Sequence, residues 1–148
     1  MKTEKRLEEK IIEAEEFLPG VGEKLKSSGW ATWGIHYNKH SEDVERVETE
    51  KYKVVAVKRQ AREWSDGGGG IKITEWVAVY YLGEEGELKG TIPEKIITRD
   101  QNDAYKDRND LLYKYDYVGL EALADDKVEV AWLDKDGKKG PTYEIKLE

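Results

Sequence analysis

Residues 71–82 read IKITEWVAVYYL, and this stretch of β-branched and aromatic residues decides the fold. Its alternation predicts a β-strand with two apolar faces. One face carries Ile71, Ile73, Val77, Val79 and Tyr81, and the other carries Trp76, Ala78, Tyr80 and Leu82. Because both faces are apolar, we expect a central strand that is covered on each side, by a helix or by a second protomer.

The chain around this strand predicts more β-structure and one helix before it. Residues 3–18 carry apolar side chains at helical spacing and end at Pro19-Gly20, which predicts an amphipathic N-terminal helix. Strands are predicted at 29–37, at 44–64 (one bent strand or two), at 87–92 and at 110–117. Residues 120–124 suggest a short helical turn. Residues 128–132 and 143–147 predict a closing hairpin around an Asp-Gly turn.

These elements predict an α+β fold that is mainly β. We expect residues 1–148 to form a single domain, in which an N-terminal helix (1–19) packs on an antiparallel β-rich body (29–148). The body would be a meander of five to seven strands, either a rolled open sheet or a small barrel.

The composition excludes several classes of protein. The chain has no cysteine, which excludes disulfides, thiol nucleophiles and zinc–thiolate or iron–sulfur sites. Its formal net charge of −7 disfavours binding to duplex nucleic acid or to an anionic membrane. No stretch is long and apolar enough to span a bilayer, and the start of the chain lacks a hydrophobic signal region, so a cytoplasmic location is expected. The many Glu and Lys residues are typical of thermophile proteins.

The aromatic content indicates a binding surface. Five tryptophans and nine tyrosines stand against one phenylalanine, and Trp and Tyr suit partly wet surfaces and dominate binding hot spots. The predicted contact residues are the Trp and Tyr side chains that alternation leaves off the core face, together with two nearby arginines. They are Trp30, Trp64, Trp76, Tyr80, Arg59 and Arg62.

Glu75 interrupts an apolar face of the 71–82 strand. A buried carboxylate with a raised pKa would suit a general acid, so one alternative is a small hydrolase with Glu75 in that role. Such an enzyme needs a second carboxylate, for which Glu129 and Glu144 are candidates. The favoured interpretation is structural: either this face meets solvent, or Glu75 pairs with a cross-strand base such as Arg59 or Arg62.

A second alternative function follows from residues 51–64, the one basic segment of the chain. Its positive charges have Tyr52 and Trp64 nearby, a combination that suits single-stranded nucleic acid. The acidic residues just before it, from Glu42 to Glu50, would neutralise much of that field. A solvated strand with cross-strand ion pairs is therefore favoured over a nucleic-acid site.

Other motifs are weaker. The run Gly67–Gly70 lacks the Lys-Ser/Thr and helix of a phosphate loop, and a hairpin loop is favoured. His36 and His40 lie too far apart on a strand to bind one metal, and residues 100–103 and 134–137 lack the full pattern of a calcium loop. We therefore predict neither a metal nor a cofactor.

The leading hypothesis is a non-catalytic binding or interaction domain. The expected partner is a protein or a second copy of the chain, the latter through an exposed sheet edge. A small apolar or aromatic ligand in a barrel mouth is a further option if the sheet closes.

Overall fold

A computed structural model of the chain describes residues 7–26, 35–37, 43–64, 71–91, 97–101, 115 and 117–148. In chain order, the elements in these ranges are α1 (Leu7–Phe17), α2 (Val21–Lys26), β1 (Ile35–Tyr37), β2 (Asp43–Glu48), β3 (Lys53–Trp64), β4 (Ile71–Leu82), β5 (Leu88–Thr91), β6 (Ile97–Gln101), β7 (Tyr117–Ala124), β8 (Lys127–Leu133) and β9 (Lys139–Lys146). Neither of the described helices is long and apolar enough to cross a membrane.

Strands β1–β6 form one antiparallel sheet, which we call the central sheet. The long strands β3 and β4 pair along their whole length, from Val54 opposite Tyr81 to Trp64 opposite Ile71. Strands β1 and β2 pair with successive parts of β3, while β5 and β6 pair with successive parts of β4. The sheet is therefore four strands wide, and the described strands do not close into a barrel.

Strands β7–β9 form a separate antiparallel meander, the second sheet. The turn between β8 and β9 is fixed by Asp134, whose Oδ1 accepts hydrogen bonds from the backbone N–H groups of Asp136 and Lys138, each at 2.9 Å. Gly137 supplies the positive φ of 81° that this turn requires. The predicted hairpin with an Asp-Gly turn is confirmed.

The central sheet lies between the helices and the second sheet. One of its faces packs on α1 and α2 through Val55, Val57, Trp76 and Ala78. The other face packs on the second sheet through Val54, Ala56, Val77, Val79 and Tyr81. Both apolar faces of β4 are thus covered, as predicted, and the second cover comes from the chain's own β7–β9. The α+β prediction with an N-terminal helix is confirmed.

Helix α1 packs through the buried Ala14 and ends at Phe17, and the next residue, Leu18, is fully buried. Pro19-Gly20 ends it as predicted, with Gly20 at a φ of 97°. The Glu15 carboxylate accepts a hydrogen bond from the backbone N–H of Gly20 at 2.7 Å. The chain then starts the short helix α2, which the sequence analysis did not predict.

One sequence prediction is wrong in the structure, and one alternative that the sequence left open is resolved. Residues 120–124 were expected to be helical, but they belong to strand β7, because alternate residues on β7 pack on the core between the sheets. The segment 44–64 is two strands, joined by a turn in which the backbone N–H of Thr49 donates to the carbonyl oxygen of Tyr52 at 2.8 Å. The loop at 67–70 and most of the predicted strand at 110–117 lie outside the described residues.

Candidate functional site

Glu75 lies in the core between the two sheets and is fully buried. Its Oε1 is 3.2 Å from the Nζ of Lys58, which is also fully buried. The Lys58 ammonium lies 5.6 Å from the centroid of the Trp132 ring, which belongs to the second sheet. The favoured prediction of a cross-strand ion pair is therefore confirmed, although the base is Lys58 and not Arg59 or Arg62.

The hydrolase hypothesis requires a second carboxylate near Glu75, and the two candidates lie elsewhere. Glu129 and Glu144 pair with each other across β8 and β9. They alternate with Val128, Val130 and Ile145, which pack in the core, so the two glutamates point to the outer face of the second sheet. Glu75 is on the opposite side of that sheet, beside a lysine. The sheet therefore separates Glu75 from both candidate partners.

Among the predicted contact residues, Trp76 and Arg59 are buried, each with 5 % of its surface exposed. Trp76 belongs to the core under the helices. The Arg59 guanidinium donates to the carbonyl oxygens of Lys24 and Leu25 at the end of α2. The expectation that alternation leaves Trp76 off a core face, with Arg59 beside it, is wrong, because both faces of the central sheet are core.

For the other four predicted residues, the structure describes a side-chain environment for Tyr80 alone. Tyr80 is half-buried, and its ring lies over Gly90 on β5, where a Cβ atom would come within 2.7 Å of the ring. Arg62 and Trp64 are placed by register opposite Ile73 and Ile71 at the far end of β3, and their side chains lie outside the described set. Trp30 lies outside the described residues altogether. Of these six residues, Trp76 and Arg59 lie together on one face of the central sheet, directly opposite each other on β4 and β3.

The outer face of the second sheet is the surface that the sequence analysis missed. Register places its outward side chains in rows that cross the strands. One row is Gly119 and Ala131 on β7 and β8, continued by Thr142 on β9. The next row, which we call the glutamate row, is Glu121, Glu129 and Glu144. The residues of both rows are spaced two apart along each strand, as residues on a single face must be.

A groove opens on this face, with a volume of about 360 Å³. We call it the β7–β8 groove. It is lined by Gly119, Leu120, Glu121, Glu129, Ala131, Leu133, Gly137 and Lys139. Its floor is low because Gly119 and Ala131 lie opposite each other, and Leu133 borders the floor, with Cδ1 3.3 Å from the position of a Cβ atom on Gly119.

The charges along the glutamate row are only partly compensated. Lys139 Nζ lies 3.2 Å from the Glu129 carboxylate, and Lys127 Nζ lies 3.3 Å from the Glu144 carboxylate. Glu121 is exposed and forms no ion pair with any described residue. Like charges directly opposite each other destabilise a sheet, so the row is a local cost to the fold.

The remaining motifs contribute no site among the described residues. The turn at 134–137 is explained by its own hydrogen bonds, without a cation. No group of three His, Asp or Glu side chains suited to a metal ion occurs in the described part of the chain. His36 is placed in β1 by its backbone, and His40 lies outside the described residues.

Comparison with known proteins adds no family and no relative: the chain matches no protein family, no curated protein and no solved structure.

Replacing Glu121 with Gln should leave the free energy of unfolding unchanged or raise it, by up to about 0.5–1 kcal/mol, because it removes one like charge from the glutamate row. Urea unfolding at low salt is the measurement. Glu85→Gln, in the exposed β4–β5 turn, removes the same charge elsewhere and is the control. A clear loss of stability in Glu121→Gln alone would contradict the prediction.

Tyr143 provides a pH-dependent prediction. Burial raises the pKa of its phenol above the ordinary value, and the nearby polar side chain of Trp132 offsets part of the shift. Because the phenol ionises more easily in the unfolded chain, its contribution to stability is complete below about pH 10 and is lost as the pH rises above that. Tyr143→Phe should therefore lose less stability between neutral and strongly alkaline pH than the parent chain does, as measured by urea unfolding. Equal losses would contradict this assignment.

Proposed function

We propose that this chain is a non-catalytic interaction domain that binds a partner protein at the β7–β8 groove. The observation that carries the proposal is an open groove of about 360 Å³ on the outer face of a sheet whose inner face is core. Exposed, partly apolar concavities with a few polar groups at the rim are typical binding sites.

The composition of the groove supports binding over a purely structural role. Gly119 and Ala131 contribute no large side chain of their own to the floor, where the Leu133 side chain packs against Gly119, although β-strands favour larger residues at such positions. The glutamate row beside the floor costs stability within the chain. The competing explanation is a solubilising surface, on which exposed charges cost little. We favour binding because the carboxylates lie beside a groove with an apolar floor.

Binding of a different protein is favoured over self-association. A dimer built on this face would place two glutamate rows close together. The outer edge strand of the second sheet, β9, carries Pro141 and ends in Lys139 and Lys146. Proline and lysine on an edge strand oppose pairing with another strand.

The two alternative functions have less support. The hydrolase hypothesis needs Glu75 in a cleft with a second carboxylate, and Glu75 lies instead beside Lys58 in the core. The nucleic-acid hypothesis needs the cations of β3 on the surface, and Lys58 and Arg59 are both buried. The barrel-mouth ligand needs a closed barrel, which the described strands do not form.

The test is an amide-shift titration of the full ¹⁵N-labelled chain with short cationic, anionic, apolar and proline-rich peptides. We expect at least one class to shift the amide signals of groove residues in a saturable way. Gly119→Phe, which fills the groove, should abolish the shifts. Ala124→Phe adds the same ring to the same strand outside the groove and should leave them intact.

The proposal fails if no peptide class shifts the groove signals, or if Gly119→Phe binds as well as Ala124→Phe does. Sedimentation of the free chain over a range of concentrations is the companion measurement. A dimer that Gly119→Phe disrupts would replace the proposed partner with a second copy.

A further inference from the structure

We infer that the β7–β8 groove binds an extended cationic peptide segment, with the aliphatic part of an Arg or Lys side chain on the floor and its charged head at Glu121 and Glu129. This inference rests on the proposed function and names the chemistry of the partner.

The shape of the groove fits a long side chain with an apolar stem. The floor is Gly119 opposite Ala131, which is itself 3 % exposed, and the Leu133 side chain packs against Gly119 and supplies most of the apolar surface on one side. On the other side lie Glu121 and Glu129, which are two residues away from Gly119 on β7 and from Ala131 on β8. Arg and Lys bury their methylene stems on apolar surface and keep their charged heads in contact with polar groups. The apolar floor would contact the methylene stem, and the adjacent carboxylates would contact the charged head.

The charge of the groove selects a cation. Two carboxylates and one ammonium line it, and the ammonium of Lys139 is 3.2 Å from Glu129. The carboxylate of Glu121 is exposed and has no ion pair with a described residue, so it is open to an incoming cation. Since Glu121 lies directly opposite Glu129, a cation between them would also relieve their repulsion.

Arginine suits the position better than lysine. The guanidinium is a planar fork that can donate to two carboxylates at once, whereas an ammonium is a compact point charge. The formal net charge of the chain, −7, would further attract a cationic segment at low salt. The same charge disfavours a second copy of this chain as the occupant.

The experiment compares three versions of one short extended peptide that differ only at a central position: Arg, its neutral isostere citrulline, and Glu. Affinity for the full chain is measured by the amide-shift titration at low and high salt. The Arg peptide should bind at the groove, and the citrulline peptide should bind about tenfold more weakly, the usual value of one charge-assisted hydrogen bond. The Glu peptide should not bind, and salt should weaken the Arg peptide alone.

Matched protein variants assign the effect to Glu121. Glu121→Gln should weaken the Arg peptide about fivefold to tenfold, and Glu121→Lys should weaken it further. Glu85→Lys makes the same change of charge in the exposed β4–β5 turn and should alter affinity less than about twofold, as a distant surface charge does.

The results distinguish a failure of the cationic-peptide inference from a failure of the proposed function. If the citrulline peptide or an apolar peptide binds at the groove as well as the Arg peptide does, or if Glu121→Lys binds normally, the cationic partner is refuted while the proposed function stands. If no peptide shifts the groove signals, both are refuted.

Discussion

Replacing Glu75 with Ala should lower the free energy of unfolding by about 3–5 kcal/mol, because it leaves the Lys58 ammonium buried without its carboxylate. Both side chains have no exposed surface. The Lys58 ammonium also lies 5.6 Å from the centroid of the Trp132 ring, and such a cation–π interaction is weaker than the interaction with a buried carboxylate. Urea unfolding followed by tryptophan fluorescence is the measurement. A loss below about 1 kcal/mol would show that the pair is not as isolated from water as its burial indicates.

A double replacement is the control for this prediction. Replacing a buried ion pair by apolar residues of similar volume is often neutral or stabilising, so Lys58→Met combined with Glu75→Leu should recover most of the loss. Glu75→Gln tests the hydrolase hypothesis with the same protein. A general acid would lose turnover with little change in the melting temperature, whereas a structural partner of Lys58 would mainly lose stability.

Trp132→Ala should cost about 3–5 kcal/mol, the usual range for removing a large aromatic side chain from a core. Trp132 has no exposed surface and belongs to the cluster that joins the two sheets. Its ring meets Tyr115 edge-on, with centroids 6.0 Å apart, and lies beside Lys58. Removing it would open a cavity and expose the buried ion pair to that cavity at once.

Two variants calibrate this result. Trp132→Phe keeps an aromatic face for Tyr115 and Lys58 and should cost clearly less than the alanine variant. Leu123→Ala, on a β7 residue that is 43 % exposed, should cost less than about 1 kcal/mol. If Trp132→Ala cost no more than Leu123→Ala, the core between the sheets would not hold them together as described.

The sequence predicts the secondary-structure elements of this fold better than it predicts how they pack against one another. Strand β4 has the predicted bounds and both predicted faces, because a continuous alternating pattern determines each in turn. The helical turn predicted at 120–124 was wrong because a short Leu-Glu-Ala-Leu-Ala run has good helix propensity, and packing in a sheet overrides that preference. Helix α2 was missed because its six residues are too few for a clear period.

The candidate site could not be derived from the sequence, because it depends on register. Glu129 and Glu144 were singled out as carboxylates, but only the alignment of β7 with β8 and β9 adds Glu121 to their row and places Gly119 beside Ala131. A shift of one residue would turn every one of these side chains to the other face. The aromatic prediction failed for Trp76 for a related reason: alternation does not reveal that the helices cover this face of the central sheet while the second sheet covers the other.

The alternation within β7–β9 has a consequence for how this surface can evolve or be engineered. Residues that hold the layers together, such as Val118 and Val130, take turns along the chain with residues that line the groove, such as Gly119 and Ala131. Positions that stabilise the fold and positions that form the outer surface therefore alternate along the same strands. A library that varies only the outward-facing residues would change this surface while keeping the core residues of the scaffold.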